Sequence, residues 1–199
     1  MIPVTPQPEP ATFDNKVRQK GLNYLRMKGF SLSHPIPKGT KLHPYWRDCL
    51  DDLHRSYQGI CAYLSVFIER VTGGTSVDHF IAKSRLAGLA YEWSNYRLAC
   101  STMNSRKRNY ESLLDPFEVR DGWFHLELVS GRVYANPLLP RSDKKAVEDT
   151  IKRLGLDDPQ CRQMRARHFL YYVNEEVSSD HLRRNSPFVW YEAYRQGLL

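Results

Sequence analysis

No apolar run in this chain approaches the roughly 20 residues that a bilayer-spanning helix requires, so the sequence predicts no membrane span. Cysteine is sparse, and Cys49, Cys61, Cys100 and Cys161 are widely spaced. The opening MIPVTPQPEP has neither the basic start nor the apolar stretch of a secretion signal. These absences predict a cytoplasmic protein with reduced thiols and no membrane partner. Neither an internal repeat nor a low-complexity tract appears beyond the proline-rich start, which leaves one domain, or one core with appended elements.

What is present is a core and a localised charge. Apolar residues make up 41% of the 199, enough to argue against wholesale disorder. The formal charge is +7 and the isoelectric point about 9.3. Between Ser76 and Asn109 six Lys and Arg stand against Asp78 and Glu92, a net +4 in 34 residues. A polyphosphate ligand needs such a cluster, although a solvated basic face has the same composition.

Along the chain, residues 1–11 carry Pro3, Pro6, Pro8 and Pro10 and read as an extended arm, docked on the body or on a partner. A weakly helical segment, about 13–27, precedes a loop, HPIPKGTKLHP. Pro44 opens a helix in which Trp46, Cys49, Leu50, Leu53 and Tyr57 recur at core spacing until Gly59. A hairpin is expected next, with CAYLSVFIER and TSVDHF as strands and TGG as the turn. Residues 81–94 read as a loop with or without a short helix, then NYRLAC as a strand. Ser101 or Thr102 is expected to cap a helix over about 102–110. Further on come a hairpin turning at Ser130-Gly131, a helix capped by Ser142 and ended by Gly155, and a helix starting at Asp158-Pro159.

The stretch SVDHFIAKSRLAGLAYEWSNYRLACSTMNSRKRN holds Asp78-His79, then Asn95, then Asn104 with Lys107 three residues on. In order and spacing it resembles the HNH endonuclease motif, about 50 residues from Cys61 to Asn109. The resemblance implies an α+β fold, a ββα-metal core (59–112) embedded in helices. An arm and helices (1–58) would precede it, and a hairpin and helical support region (113–199) would follow, in one compact unit. It further implies Asp78 and Asn104 as metal ligands, His79 as general base and Asn95 as the orienting middle residue. Two protein oxygens suit Mg²⁺, which keeps several waters, with Mn²⁺ as an alternative. Neighbours in a strand point to opposite faces, so Asp78 and His79 converge only if the strand end bends.

The remaining residues keep two readings each. Asn95 bridges backbone groups across the loop or caps its own turn. Lys107, on the face of Asn104, contacts phosphate or neutralises charge. Lys83, Arg85, Arg106 and Arg108 are nucleic-acid contacts or solvated charges. The segments CAY, DHFIAKS, YEWSNYRLAC and MNSRKRN together look like the HNH effectors of Septu and retron-type anti-phage systems, which work beside an ATPase partner. Many relatives hold a structural zinc with two Cys-x-x-Cys pairs. Here Leu64 and Met103 replace one cysteine of each pair, so apolar packing instead of zinc is expected. The reading is a metal-dependent DNA endonuclease; the alternatives are an inactive nucleic-acid-binding module and an RNase. The carboxyl-terminal SPFVWYEAYRQGLL reads either as a docking surface or as core through Trp190, Tyr191 and Tyr194.

Overall fold

Seven α-helices and two small antiparallel sheets form a mixed α and β architecture among the described residues. The computed structural model describes every residue except Gly73 and Glu111. No helix among them is long and apolar enough to cross a membrane. By contacts the chain divides into two units. One comprises Pro6–Gly59 and Ile68–Glu111, the other Met1–Thr5, Ile60–Phe67 and Ser112–Leu199. Of the 29 Lys and Arg, 16 lie in the first unit against 9 of the 22 Asp and Glu; the second holds 13 of each. The whole formal charge of +7 therefore belongs to the first unit.

That first unit starts with an extended segment held by its own backbone. The Gln7 amide donates to Tyr57 Oη, and Trp93 Nε1 donates to the Gln7 carbonyl. A π-turn at Asp14–Arg18 leads into α1 (Gln19–Met27). A 3₁₀ turn at Tyr45–Cys49 runs into α2 (Leu50–Ser56), and Gly59, at φ +73°, closes that segment. Cys49 and Leu53 are fully buried as expected, whereas Trp46 is only half-buried.

The expected hairpin forms differently. β1 (Thr75–His79) pairs antiparallel with β2 (Tyr96–Cys100), from Thr75 opposite Cys100 to His79 opposite Tyr96. Residues 61–70 contribute no strand, only an isolated bridge between Ile60 and Phe67. The cause is local. Cys61 N donates to Val66 O and Ser65 N to Cys61 O, with Ser65 at φ +54°, so 61–66 fold back on themselves. Strand-forming composition is overridden by that tight turn. Gly73, in the expected TGG turn, lies outside the described residues.

Directly after β2 comes α3 (Ser101–Lys107). Neither Ser101 nor Thr102 caps it: Cys100 takes the cap position, without a side-chain bond. The other unit holds the expected hairpin, β3 (Phe124–Glu127) with β4 (Arg132–Ala135), and α4 (Arg141–Leu154). Ser142 lies inside the first turn of α4 instead of capping it. Then follow α5 (Pro159–Val173), α6 (Ser179–Asn185) and α7 (Pro187–Arg195). In α7, Phe188, Val189 and Ala193 are core, Trp190 and Tyr191 are half-buried, and Tyr194 is exposed.

In the first unit, α1 packs tightly on Tyr91 at Gly21. A Cβ built there would lie 2.1 Å from Tyr91 Cγ. Alanine is the better helix former by about 1 kcal/mol, but overpacking of this kind costs about 1–3 kcal/mol. Gly21→Ala should therefore lower stability in urea unfolding; a stabilised variant would show that α1 does not lie against Tyr91.

Candidate functional site

A cavity of about 700 Å³ opens in the basic unit, walled by β1, α3 and the Tyr45–Cys49 turn. Asp78, His79, Asn104, Lys83 and Arg108 all line it, as do Trp46 and Arg47. Of the residues expected from sequence, Asn95 and Lys107 lie behind the wall, Arg106 does not reach the cavity, and Arg85 lines a separate small pocket with Phe80, Ile81 and Leu86.

Asp78 and His79 reach one cavity because the strand ends there. Lys107 Nζ donates to the carbonyls of both His79 and Phe80, each at 3.0 Å. Successive carbonyls of a regular strand point opposite ways, so one ammonium can take both only where the backbone turns. The same Nζ lies 3.3 Å from Asp78 Oδ1, and Lys107 is 0% exposed. Enclosed in this way, Lys107 is out of reach of a ligand in the cavity.

The imidazole of His79 is held in a defined tautomer. Nε2 lies 2.9 Å from the Ala90 carbonyl, which only accepts, so Nε2 carries the proton. Tyr96 Oη donates to the same carbonyl at 2.9 Å. The ring stands edge-on to Trp46 at 4.9 Å and to Tyr96 at 5.0 Å. Nδ1 has no protein partner and is not a buried orphan, so it faces the cavity that His79 lines. Burial, reinforced by Lys83 and Lys107, lowers the His79 pKa to about 3, with the Ala90 bond opposing.

Asn95 ties the intervening loop down. Its Oδ1 accepts from Ile81 N at 2.8 Å, and its Nδ2 donates to Ile81 O and Leu89 O. This fixes the Ala87–Tyr91 turn that carries the Ala90 carbonyl. Asn104 Nδ2 donates to Ser76 Oγ and to Val77 O, leaving Oδ1 as an acceptor at the cavity. Thr75 Oγ1, on the same wall, is the one buried side-chain polar atom among the described residues without a partner.

Among the described residues no group of three or more His, Cys, Asp and Glu gathers to hold a metal. The oxygen donors presented are the Asp78 carboxylate and Asn104 Oδ1. That hard, sparse pair fits a hard divalent ion which keeps water and substrate oxygens in its shell.

Sequence reasoning placed Trp46 in the core and passed over Arg47. Lys83 Nζ sits 4.8 Å above the Trp46 ring, and Arg47 is exposed on the same wall. Helical periodicity alone reports that Trp46 faces inward, without distinguishing a core from a cavity wall. Arg108 follows α3 at φ +53°, ψ −131°, a conformation costing a non-glycine residue about 1–3 kcal/mol. Met103 is fully buried, and Leu64 and Cys100 are half-buried. Compared with known proteins, the chain matches no family model and none of the curated proteins.

The His79 environment sets a pH dependence. Its folded pKa lies below the unfolded value of about 6.5, so folding favours the neutral ring. That contribution is complete above pH 6.5 and is lost as pH falls from 6.5 towards 3. It amounts to at most about 5 kcal/mol. Urea unfolding of wild type and His79→Asn between pH 4 and 7.5 should show a steeper acid loss in wild type; parallel curves would mean that the ring is not buried neutral.

Proposed function

We propose that this protein is a metal-dependent endonuclease of the HNH kind that hydrolyses phosphodiester bonds of DNA, with β1, β2 and α3 as its ββα-metal core. The observation that carries the reading is His79: a neutral imidazole, Nε2 fixed on Ala90 O, Nδ1 open to a cavity shared with Asp78 and Asn104. In-line attack requires a water whose proton has somewhere to go as its oxygen bonds to phosphorus. Nδ1 of His79 takes that proton, and the P–O bond to the leaving oxygen breaks. A divalent ion such as Mg²⁺, held by Asp78 and Asn104, would supply positive charge for the transition state and leaving oxygen.

The low His79 pKa fits this role in one circumstance. Alone in the cavity the ring is neutral but a poor base, because the Ala90 bond only partly offsets the cost of burying an imidazolium. A bound phosphodiester brings negative charge beside it, and negative charge raises an imidazole's pKa. Lys83, Arg47 and Arg108 supply the attraction for that anion. Asn95 and Tyr96 work indirectly, by holding the Ala90 carbonyl and the ring. The resemblance to anti-phage effectors adds an ATPase partner to the proposal.

The test is cleavage of supercoiled plasmid by purified protein with Mg²⁺ or Mn²⁺, beside an EDTA control and single-stranded DNA and RNA. Wild type should nick or linearise DNA only with metal. His79→Ala should lose about 10²–10⁴-fold in rate with its fold intact. Undiminished cutting by His79→Ala would remove the mechanism. Cutting of RNA alone would make the protein an RNase, and no cutting of any substrate would favour an inactive binding module.

A further inference from the structure

The charge lining the cavity is the wrong sign for a site that recruits a cation by itself. Its lining holds one carboxylate, Asp78, against three cations, Arg47, Lys83 and Arg108. All three cations are exposed and so can swing towards an occupant. Asp78 is moreover already engaged, because the buried Lys107 ammonium lies 3.3 Å from Oδ1. Lys107 cannot move away. It is fully enclosed, and its Nζ is anchored to the His79 and Phe80 carbonyls at 3.0 Å. A divalent ion entering alone would meet a net repulsive field and only two protein oxygens.

An anion meets the opposite situation. A phosphodiester is attracted by the three exposed cations, and once seated it offers its own oxygens towards Asp78 and Asn104. From this we infer that the site loads in a fixed order of preference: the phosphate group binds first without metal, and the divalent ion is held only together with it, Lys107 keeping the empty site from capturing a cation. The inference rests on the nuclease reading above and adds to it the coupling between substrate and metal. Free protein then carries no stably bound ion and is assembled for chemistry only by its substrate. Coupling of this kind is reciprocal: whatever factor the phosphate adds to metal affinity, the metal adds to phosphate affinity.

The experiment uses the full chain and thymidine 3′,5′-bisphosphate, which has no diester to cut. Its binding is measured by calorimetry in EDTA and again with Mn²⁺. Mn²⁺ binding is followed by the loss of the free-ion paramagnetic resonance signal, with and without the nucleotide, after subtracting the nucleotide's own Mn²⁺ binding. The expected result is nucleotide binding in EDTA, weakened at least tenfold in the Lys83→Ala, Arg108→Ala double variant. Mn²⁺ affinity should rise at least tenfold when nucleotide is present, with a matching rise in nucleotide affinity. Lys107→Met should bind Mn²⁺ at least tenfold more tightly than wild type without nucleotide. If that variant unfolds, the wild-type coupling decides alone. Mn²⁺ bound equally tightly with and without nucleotide would overturn the ordered loading while leaving the nuclease reading in place. Absence of nucleotide binding under both conditions would overturn both.

Discussion

The enclosed Lys107 ammonium is the constraint on which the site's geometry depends. Three acceptors converge on it: a carboxylate oxygen of β1 and two successive carbonyls at the strand's end. Burying a charge is tolerable only when it is paired and hydrogen-bonded, and here it is both. One side chain from α3 thereby fixes the bend that brings Asp78 and His79 to one cavity. It also secures the helix against the sheet and places its positive charge 3.3 Å from the carboxylate. Removing it would leave Asp78 buried without that partner and the bend without its tie.

Around this lysine the supports are mostly neutral and made to backbone. Asn95 spends its amide on Ile81 and Leu89, and the Ala90 carbonyl takes both the His79 ring and the Tyr96 hydroxyl. Neutral groups bonded to peptide atoms do not titrate near neutrality, so the ring's orientation is independent of moderate pH change. The exposed cations at the mouth have the opposite character. They are long side chains with exposed surface, Lys83 resting on the Trp46 ring, which suits reception of a phosphate more than definition of a geometry.

Much of this was legible in the sequence, because it resides in local signals. Strand-forming residues around Val77 and Leu98, the turn residues between the strands, and Gly59, Gly131 and Gly155 at positive φ all mark element ends. The spacing of Asp78, His79 and Asn104 brought three of the expected residues together, and they line one cavity. Partner choice was not legible: residues 61–70 have the composition of a strand, but the 61–66 turn takes them out of the sheet. Nor was the fate of Lys107, since a lysine beside two arginines looks solvated, and only the turned carbonyls opposite show why it is enclosed. Trp46 illustrates the same limit, because periodicity gives the side a residue faces without saying whether that side is filled.

The excursion of residues 60–67 has a consequence for synthesis. The chain leaves the basic unit after Gly59 and re-enters it at Ile68, while the segment between belongs with 112–199. Phe67, for instance, donates its amide to Asn185 O. A ribosome that has released residue 111 has therefore delivered every residue of the candidate site. It has not yet delivered the unit in which 60–67 will be buried. Until 112–199 follow, the segment 60–67, Cys61 and Tyr63 included, lacks the residues it is buried with. That interval, set by the order in which the ribosome emits the chain, leaves exposed the kind of apolar surface that chaperones cover.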